Sequence, residues 1–427
     1  MISGLKSKLI APETRVSFIL VTALFLFWGI PNNLNDILIK QFMKSFEITR
    51  LQAGLIQSAF YLGYFLLALP AAMIMRKYSY KVGLITGMLL YSAGTFLFWP
   101  AAHSGKYLFF LIALFIIASG LSFLETGANP FIAGLGSQES SERRLNFSQA
   151  FNPFGAILGV LIGTVFIFSG IEHNQAKIEM MKQSGEYSAY LRFETLRVVR
   201  PYMVLGVVVF LWAILIMRTK FPVIISEENN SHSKGNPREL LKHHHFLTGV
   251  FAQFCYVGAQ VGTWSYFIMY SQDYTGIAEK SAGYFLTGTL VAFLIGRFSA
   301  TVIMKYIKPG NLMGVYAIIN ILLISVAVIF PGWVGVWSIF LSSFFMSLMF
   351  PTIFALGIKG LGANTKIAGS MIVMAIIGGG VFTPLMGLIA VKNMALAMLV
   401  PLGCYCIICL YAFWWSVPKQ VPENNGN

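Results

Sequence analysis

Long apolar stretches separated by short polar ones recur along the chain. They fall at residues 16–39, 50–75, 81–100, 106–135, 146–169 and 199–219, and after a polar interval resume at 245–271, 281–304, 310–330, 333–358, 366–390 and 393–416. A helix needs ~20 mostly apolar residues to cross a bilayer, and these stretches have that length. Strands of an outer-membrane barrel would alternate apolar and polar residues over about ten positions. Stretches such as 108–117 and 205–217 are instead apolar on every side. The pattern therefore predicts an all-α membrane protein with twelve transmembrane helices in two six-helix bundles. Residues 1–219 form the amino-terminal bundle, 220–244 a cytoplasmic linker and 245–427 the carboxy-terminal bundle. The linker contains Glu227-Glu228-Asn229-Asn230-Ser231 and Lys234-Gly235-Asn236-Pro237, a composition that cannot bury a core of its own. Residues 172–200 make a second long, charged loop, in which a short surface helix is expected at 187–198.

Composition agrees with this reading. Of 427 residues, 57% are hydrophobic and 11% charged, against roughly a quarter charged in soluble domains. A net charge of +14 in a soluble domain would point to nucleic acid, but here topology accounts for it. With the amino terminus in the cytoplasm, most of the Lys and Arg residues fall in inward loops or tails, as short basic loops do. Both termini are then cytoplasmic and no nucleic-acid partner is implied. Arg297 counts among the inward bases in this scheme, Lys40 and Lys44 among the outward ones. Cys255, Cys404, Cys406 and Cys409 all lie in apolar stretches and read as core residues, not as a disulfide framework. The first apolar run continues through Trp28 into Asn32, Asn33, Asn35 and Asp36 without a small-residue cleavage site, so it is a retained span and not a signal peptide.

Polar residues inside the spans carry the chemistry. Among the acidic residues only Asp36 and Glu125 fall within hydrophobic spans, while Asp273 lies just past the seventh and Glu279 in the loop that follows. A charge in hydrocarbon costs ~3 kcal/mol on insertion scales, so such groups face a bundle interior or an aqueous cavity. Lys40, one turn beyond Asp36, reaches more readily to the outer surface than to that carboxyl. A carboxyl without a cation partner is most stable in hydrocarbon as the neutral acid. Each can therefore take a proton and release it on hydration, as a proton-coupled carrier requires. Trp28, Asn32 and Asp36 recur every four residues on one face of the first span, with Asn33 beside them. Pro31 frees a backbone carbonyl one turn earlier and is expected to interrupt the helix, a discontinuity of the kind that lines cavities in carriers. Asn146, Gln149 and Asn152 form a column of amides on the fifth span, and Gln253, Tyr256, Gln260 and Trp264 share a face of the seventh. Amides supply paired donors and acceptors to a polyol. The alternatives are glue between helices for the amides, at ~1 kcal/mol per contact, and packing for the aromatics. The Gly378-Gly379-Gly380 run serves either static packing or a moving gate.

Other chemistries find little support. His243, His244 and His245 are consecutive, point in different directions on a helix and have no accompanying ligand set, so no metal is expected. There is no phosphate-cradling loop, no HExxH and no Gly-x-Ser-x-Gly elbow, which argues against an ATP-driven pump or a membrane hydrolase. No enzymatic activity and no cofactor are expected.

Several blocks resemble the fucose:proton symporters of the major facilitator superfamily. They are Asn32-Asn33-Leu34-Asn35-Asp36, Gln52-Ala53-Gly54-Leu55-Ile56-Gln57-Ser58-Ala59-Phe60-Tyr61, Leu124-Glu125-Thr126-Gly127-Ala128-Asn129-Pro130-Phe131 and Gln149-Ala150-Phe151-Asn152. Ala252-Gln253-Phe254-Cys255-Tyr256-Val257-Gly258-Ala259-Gln260, Pro351-Thr352-Ile353-Phe354 and Ile376-Ile377-Gly378-Gly379-Gly380 follow in the same order. The resemblance implies two bundles around a central cavity that opens to either side in turn, in a bacterial cytoplasmic membrane. It implies that Asp36 and Glu125 couple the proton, with Glu125 also close to sugar hydroxyls, and that Asn33, Gln149 and Asn152 occupy cavity positions. Three departures stand out. Met349-Phe350 replaces a Gln-Tyr pair, removing an amide and a phenolic hydroxyl from a cavity wall. Pro153 replaces a Ser, and Met75, before Arg76, replaces the Asp of the superfamily's Gly-x-x-x-Asp-Arg signature.

The expectation is a secondary active transporter, a monomer, that imports a neutral monosaccharide of fucose, glucose or galactose type with a proton by alternating access. Asp36 and Glu125 carry the coupling, and Trp28, Asn32, Asn33, Gln149, Asn152, Tyr256, Gln260 and Phe350 bind the sugar. The alternatives are sodium-coupled or uncoupled sugar transport, and a sugar receptor without flux. A lipid enzyme ranks last for want of a nucleophile and base.

Overall fold

The computed structural model of the chain describes residues 14–135, 144, 147–222, 240–304, 306–359, 361 and 364–416. Most of the 220–244 linker, together with Asn146 and the side chain of Arg76, lies outside the described residues. The described residues are helical almost throughout. Eleven helical segments among them are long and apolar enough to cross a membrane. In chain order these are span 1 (Arg15–Phe46), span 2 (Arg50–Met75), span 3 (Tyr80–Ser104), span 4 (Tyr107–Ile132), span 5 (Phe147–Ile167) and the segment Tyr187–Arg218, whose crossing helix, span 6, is Val199–Arg218. After span 7 come span 8 (Glu279–Ala300), span 9 (Pro309–Ile329), span 10 (Trp333–Ile358), span 11 (Met371–Ala390) and span 12 (Met394–Trp415). Span 7 itself, His244–Thr275, is a 32-residue helix. Gln253, Gln260, Thr263 and Ser265 make it less apolar than the rest, and it is buried over most of its length by its neighbours. A helix shielded from lipid on most sides can carry polar groups that a lipid-facing one cannot.

Spans 1–6 pack among themselves, span 4 against 2 and 3, span 5 against 1 and span 6 against 3; spans 7–12 do likewise, with span 7 central. The two sets meet chiefly along span 2 against span 11 and span 5 against span 8. Span 1 crosses span 5 closely because both are glycine-bearing at the crossing. A Cβ on Gly155 would lie 3.1 Å from the Gly29 Cα, and one on Gly29 3.0 Å from the Ala156 nitrogen. Small residues at such a crossing let backbones touch, which fixes the amides of span 5 beside those of span 1.

Two local expectations change. Pro31 does not interrupt span 1, which runs unbroken from Arg15 to Phe46. The carbonyl that Pro31 leaves without its usual donor is that of Phe27, and the Tyr91 hydroxyl from span 3 donates to it at 2.9 Å. A neighbouring helix thus meets the demand that would otherwise open the backbone. The long loop also holds more than one surface helix. Gln175–Ser184 and Tyr187–Leu196 are both helical, and the second buries Glu194 and Thr195.

Candidate functional site

A cavity of about 230 Å³ lies between the bundles. Pockets for drug-sized ligands run to ~300–1,000 Å³, so this one suits a small solute. Its two walls differ in character. The first bundle presents Asn32, Asn33, Asp36, Glu125, Gln149 and Asn152, with Asn129 beside them. The second presents mainly Val257, Val261, Leu290, Phe293, Phe350 and Ile376, interrupted by Gln260, Trp264 and Arg297. Gln149 is exposed and Asn129 half-buried, whereas Asp36 is only 3% exposed, so solvent reaches the site from the end nearer the termini.

The amides are held by named bonds. Asn33 Nδ2 donates to the Gly29 carbonyl at 3.2 Å, Asn152 Nδ2 to the Phe25 carbonyl at 3.3 Å, and Gln149 Nε2 to Asn129 Oδ1 at 3.1 Å. Asn129 Nδ2 in turn donates to the Glu125 carbonyl at 3.0 Å, and the Tyr64 hydroxyl donates to Asn32 Oδ1 at 3.3 Å. A primary amide has two N–H donors and a carbonyl, so each amide that donates one N–H to these bonds keeps capacity for a polyol. Trp28 lines the same wall, its ring 4.4 Å from that of Phe25. Tyr61 stands within electrostatic reach of both Asp36 and Glu125.

Asp36 is the most connected of these groups. Its Oδ1 accepts from Gln57 Nε2 of span 2 at 3.0 Å and from Ser265 Oγ of span 7 at 2.8 Å. Gln57 Nε2 also donates to Ser265 Oγ, at 2.9 Å.

Tyr256 does not reach the cavity. It is fully buried behind Phe350, their ring centroids 6.2 Å apart, although its spacing from Gln260 puts both on one side of span 7. Arg297 departs from the topological count in the other direction. It lies within span 8 and lines the cavity, its guanidinium 4.9 Å from the Phe293 ring and its Nε donating to the Ser347 carbonyl at 3.3 Å. Sequence reading missed Arg297, Gln57 and Ser265 as site groups. All three fall inside apolar stretches, Gln57 in 50–75, Ser265 in 245–271 and Arg297 in 281–304, and Arg297 carried the strongest signal because it alone is charged.

The end of the molecule remote from the termini is sealed by charges and close backbone contact. Lys44 Nζ lies 3.1 Å from both Glu194 and Glu279. Arg50 pairs with Asp273 at 2.5 Å and donates to the Ala390 carbonyl at 2.8 Å. The Tyr266 hydroxyl donates to the Arg50 carbonyl at 2.9 Å and Ser58 Oγ to the Gly380 carbonyl at 2.6 Å. Glu172 accepts from the backbone N–H of Glu279. Glu279 is thus no loop residue: it opens span 8, is 1% exposed and pairs across the bundles. No group of three or more His, Cys, Asp and Glu side chains is placed to hold a metal among the described residues, and His245 Nε2 instead meets the Lys359 carbonyl at 2.9 Å.

Comparison with known proteins places this geometry. Residues 16–365 match the Major Facilitator Superfamily. The chain is 45% identical to the L-fucose-proton symporter of Escherichia coli (strain K12), over 93% of this chain and 92% of that protein. It is 32% identical to a glucose/galactose transporter of Brucella abortus, over 92% of each. A crystal structure of the fucose transporter in the outward conformation superposes with a TM-score of 0.71 at 44% identity, covering 95% of this chain and 99% of that one.

Proposed function

The chain belongs to the fucose:proton symporter family of the major facilitator superfamily, and from that premise we propose that it is a secondary active transporter importing a neutral monosaccharide with a proton. It is a transporter and not an enzyme. The observation that carries the reading is the cavity between the bundles, with an amide wall, two carboxyls and access from one end only. Asn32, Asn33, Gln149, Asn152 and Gln260 bind hydroxyls, and Trp28 and Phe350 pack on the sugar's apolar face. Phe350 offers no hydroxyl to its side of the cavity, so the sugar presents an apolar edge there.

Asp36 and Glu125 carry the proton. With both termini in the cytoplasm, the sealed end faces outward and the cavity drains inward, in a bacterial cytoplasmic membrane. The relative solved in the outward conformation supports alternation of one fold between two states. Residues 1–219 and 245–427 move as bodies joined by 220–244, and each monomer is a complete carrier. One charge moved across 100 mV supplies about 2.3 kcal/mol, enough for about fifty-fold accumulation at ~1.4 kcal/mol per decade.

Counterflow and gradient-driven uptake of a radiolabelled sugar panel in proteoliposomes test this. Asp36→Asn is expected to abolish accumulation against a gradient while leaving exchange measurable. Accumulation equal to the wild type would remove the coupling role, and absence of counterflow for every sugar tested in the wild type would remove transport itself.

A further inference from the structure

Asp36 lies at the meeting of three helices, one of them from the opposite bundle. Ser265 is 2% exposed, Gln57 fully buried and Asp36 3% exposed, so the triangle formed by their polar atoms is shielded from bulk water. Gln57 belongs to the same bundle as Asp36 and keeps its bond whatever the bundles do. Ser265 does not. It precedes Tyr266, whose hydroxyl reaches the Arg50 carbonyl across the sealed end, so withdrawing span 7 to open that end must break the Ser265 bond to Asp36.

We propose that Ser265, with Gln57, links the protonation state of Asp36 to closure of the remote end. Ser265 is a positioning residue acting through Asp36, not a group that touches the sugar, and its role rests on the coupling function assigned to Asp36.

Hydrogen-bond chemistry gives the link its sense. An ionised carboxylate only accepts, and Asp36 Oδ1 accepts both bonds as they stand. A proton on Asp36 can sit on Oδ2, leaving Oδ1 to accept both bonds as a neutral carbonyl oxygen, which holds them about half as strongly as an ionised carboxylate does. Protonation therefore weakens the Ser265 hydrogen bond that joins the carboxyl to the other bundle. The other titratable or charged groups facing this region are Tyr61 of span 2, Glu125 of span 4 and Arg297 of span 8, with Lys40 one turn along span 1. Span 11 brings Gly379 against the Tyr61 ring.

The test measures gradient-driven accumulation and counterflow of one transported sugar for wild type, Ser265→Ala, Ser265→Thr and Asp36→Asn in proteoliposomes. Loss of a hydrogen bond to a charged group is expected to lower the accumulation ratio of Ser265→Ala about tenfold. Counterflow is expected to fall less than about threefold. Ser265→Thr, which keeps the hydroxyl, is expected to recover accumulation to within about twofold. If the alanine variant does not assemble, Ser265→Cys, of similar size but a much weaker donor, is expected to show the same split. Wild-type accumulation in Ser265→Ala or Ser265→Cys overturns the link, as does equal loss of accumulation and counterflow. If Asp36→Asn is uncoupled but Ser265→Ala is not, only the link fails. If Asp36→Asn still accumulates sugar, the coupling role of Asp36 fails and the link with it.

Discussion

Tyr91 shows how one hydroxyl keeps a helix intact at the site. It occupies the Phe27 carbonyl that Pro31 cannot serve, and it is fully buried. Tyr91→Phe leaves that carbonyl without its partner, which costs ~1–3 kcal/mol. A lowered thermal midpoint in detergent, with span 1 bent at Pro31, is the expected outcome; an unchanged midpoint would show that the carbonyl is served otherwise. The proline was legible in the sequence, but its partner was not, because Tyr91 lies sixty residues away and nothing local marks it. The same limit explains Tyr256 and Arg297. Spacing reports which side of a helix a residue shares, and Tyr256 shares the side of Gln260. In a helix buried nearly all round, however, that side is divided between cavity and core. Arg297 counts with the inward bases when charge alone is weighed, although it falls seven residues before the end of an apolar stretch.

At the level of elements, the spans were readable from length and apolarity alone, span 7 included, since its amides interrupt but do not break the run. What the pattern left open was the use of the glycines. Some serve packing within a bundle, as where Gly378 lies against the backbone of Phe254. Others serve the seam between bundles. A Cβ on Gly54 of span 2 would stand 2.8 Å from the Pro384 Cα and 3.0 Å from its nitrogen on span 11. Backbone cannot swing aside as a side chain can, so Gly54→Ala pushes the two spans apart. It is expected to favour the state open at the remote end, seen as a longer distance between spectroscopic labels at the exposed positions Lys177 and Ala278. An unaltered distance distribution would mean that the seam adjusts within the closed state.

Across the whole molecule, the count of Lys and Arg residues yields an expected orientation but no architecture. That count sets Lys44 among the outward bases, yet with Glu194 and Glu279 it forms a buried cluster between the halves. Glu279→Gln removes the member contributed by the second bundle. Lys44 retains Glu194, so the closed state should lose about 2 kcal/mol, the lower end for breaking a buried charge pair. The Lys177 to Ala278 distance should lengthen in consequence, and lengthen more with Glu194→Gln already in place, because Glu279 is then the remaining carboxylate of the cluster on Lys44; an unchanged distance in both backgrounds would show that the cluster does not hold the end shut.

The way this cluster is divided matters for how readily it parts. Lys44 and Glu194 lie on the same half, and Glu279 occupies the first turn of its own helix, where the backbone N–H groups favour a negative charge by ~0.3–1 kcal/mol. When the halves swing apart, the cation leaves with a counter-ion already attached and the anion stays cradled by its helix. Neither is stranded bare, so the joint can be firm when shut and still release at a rate that suits a machine obliged to open once for every molecule it carries.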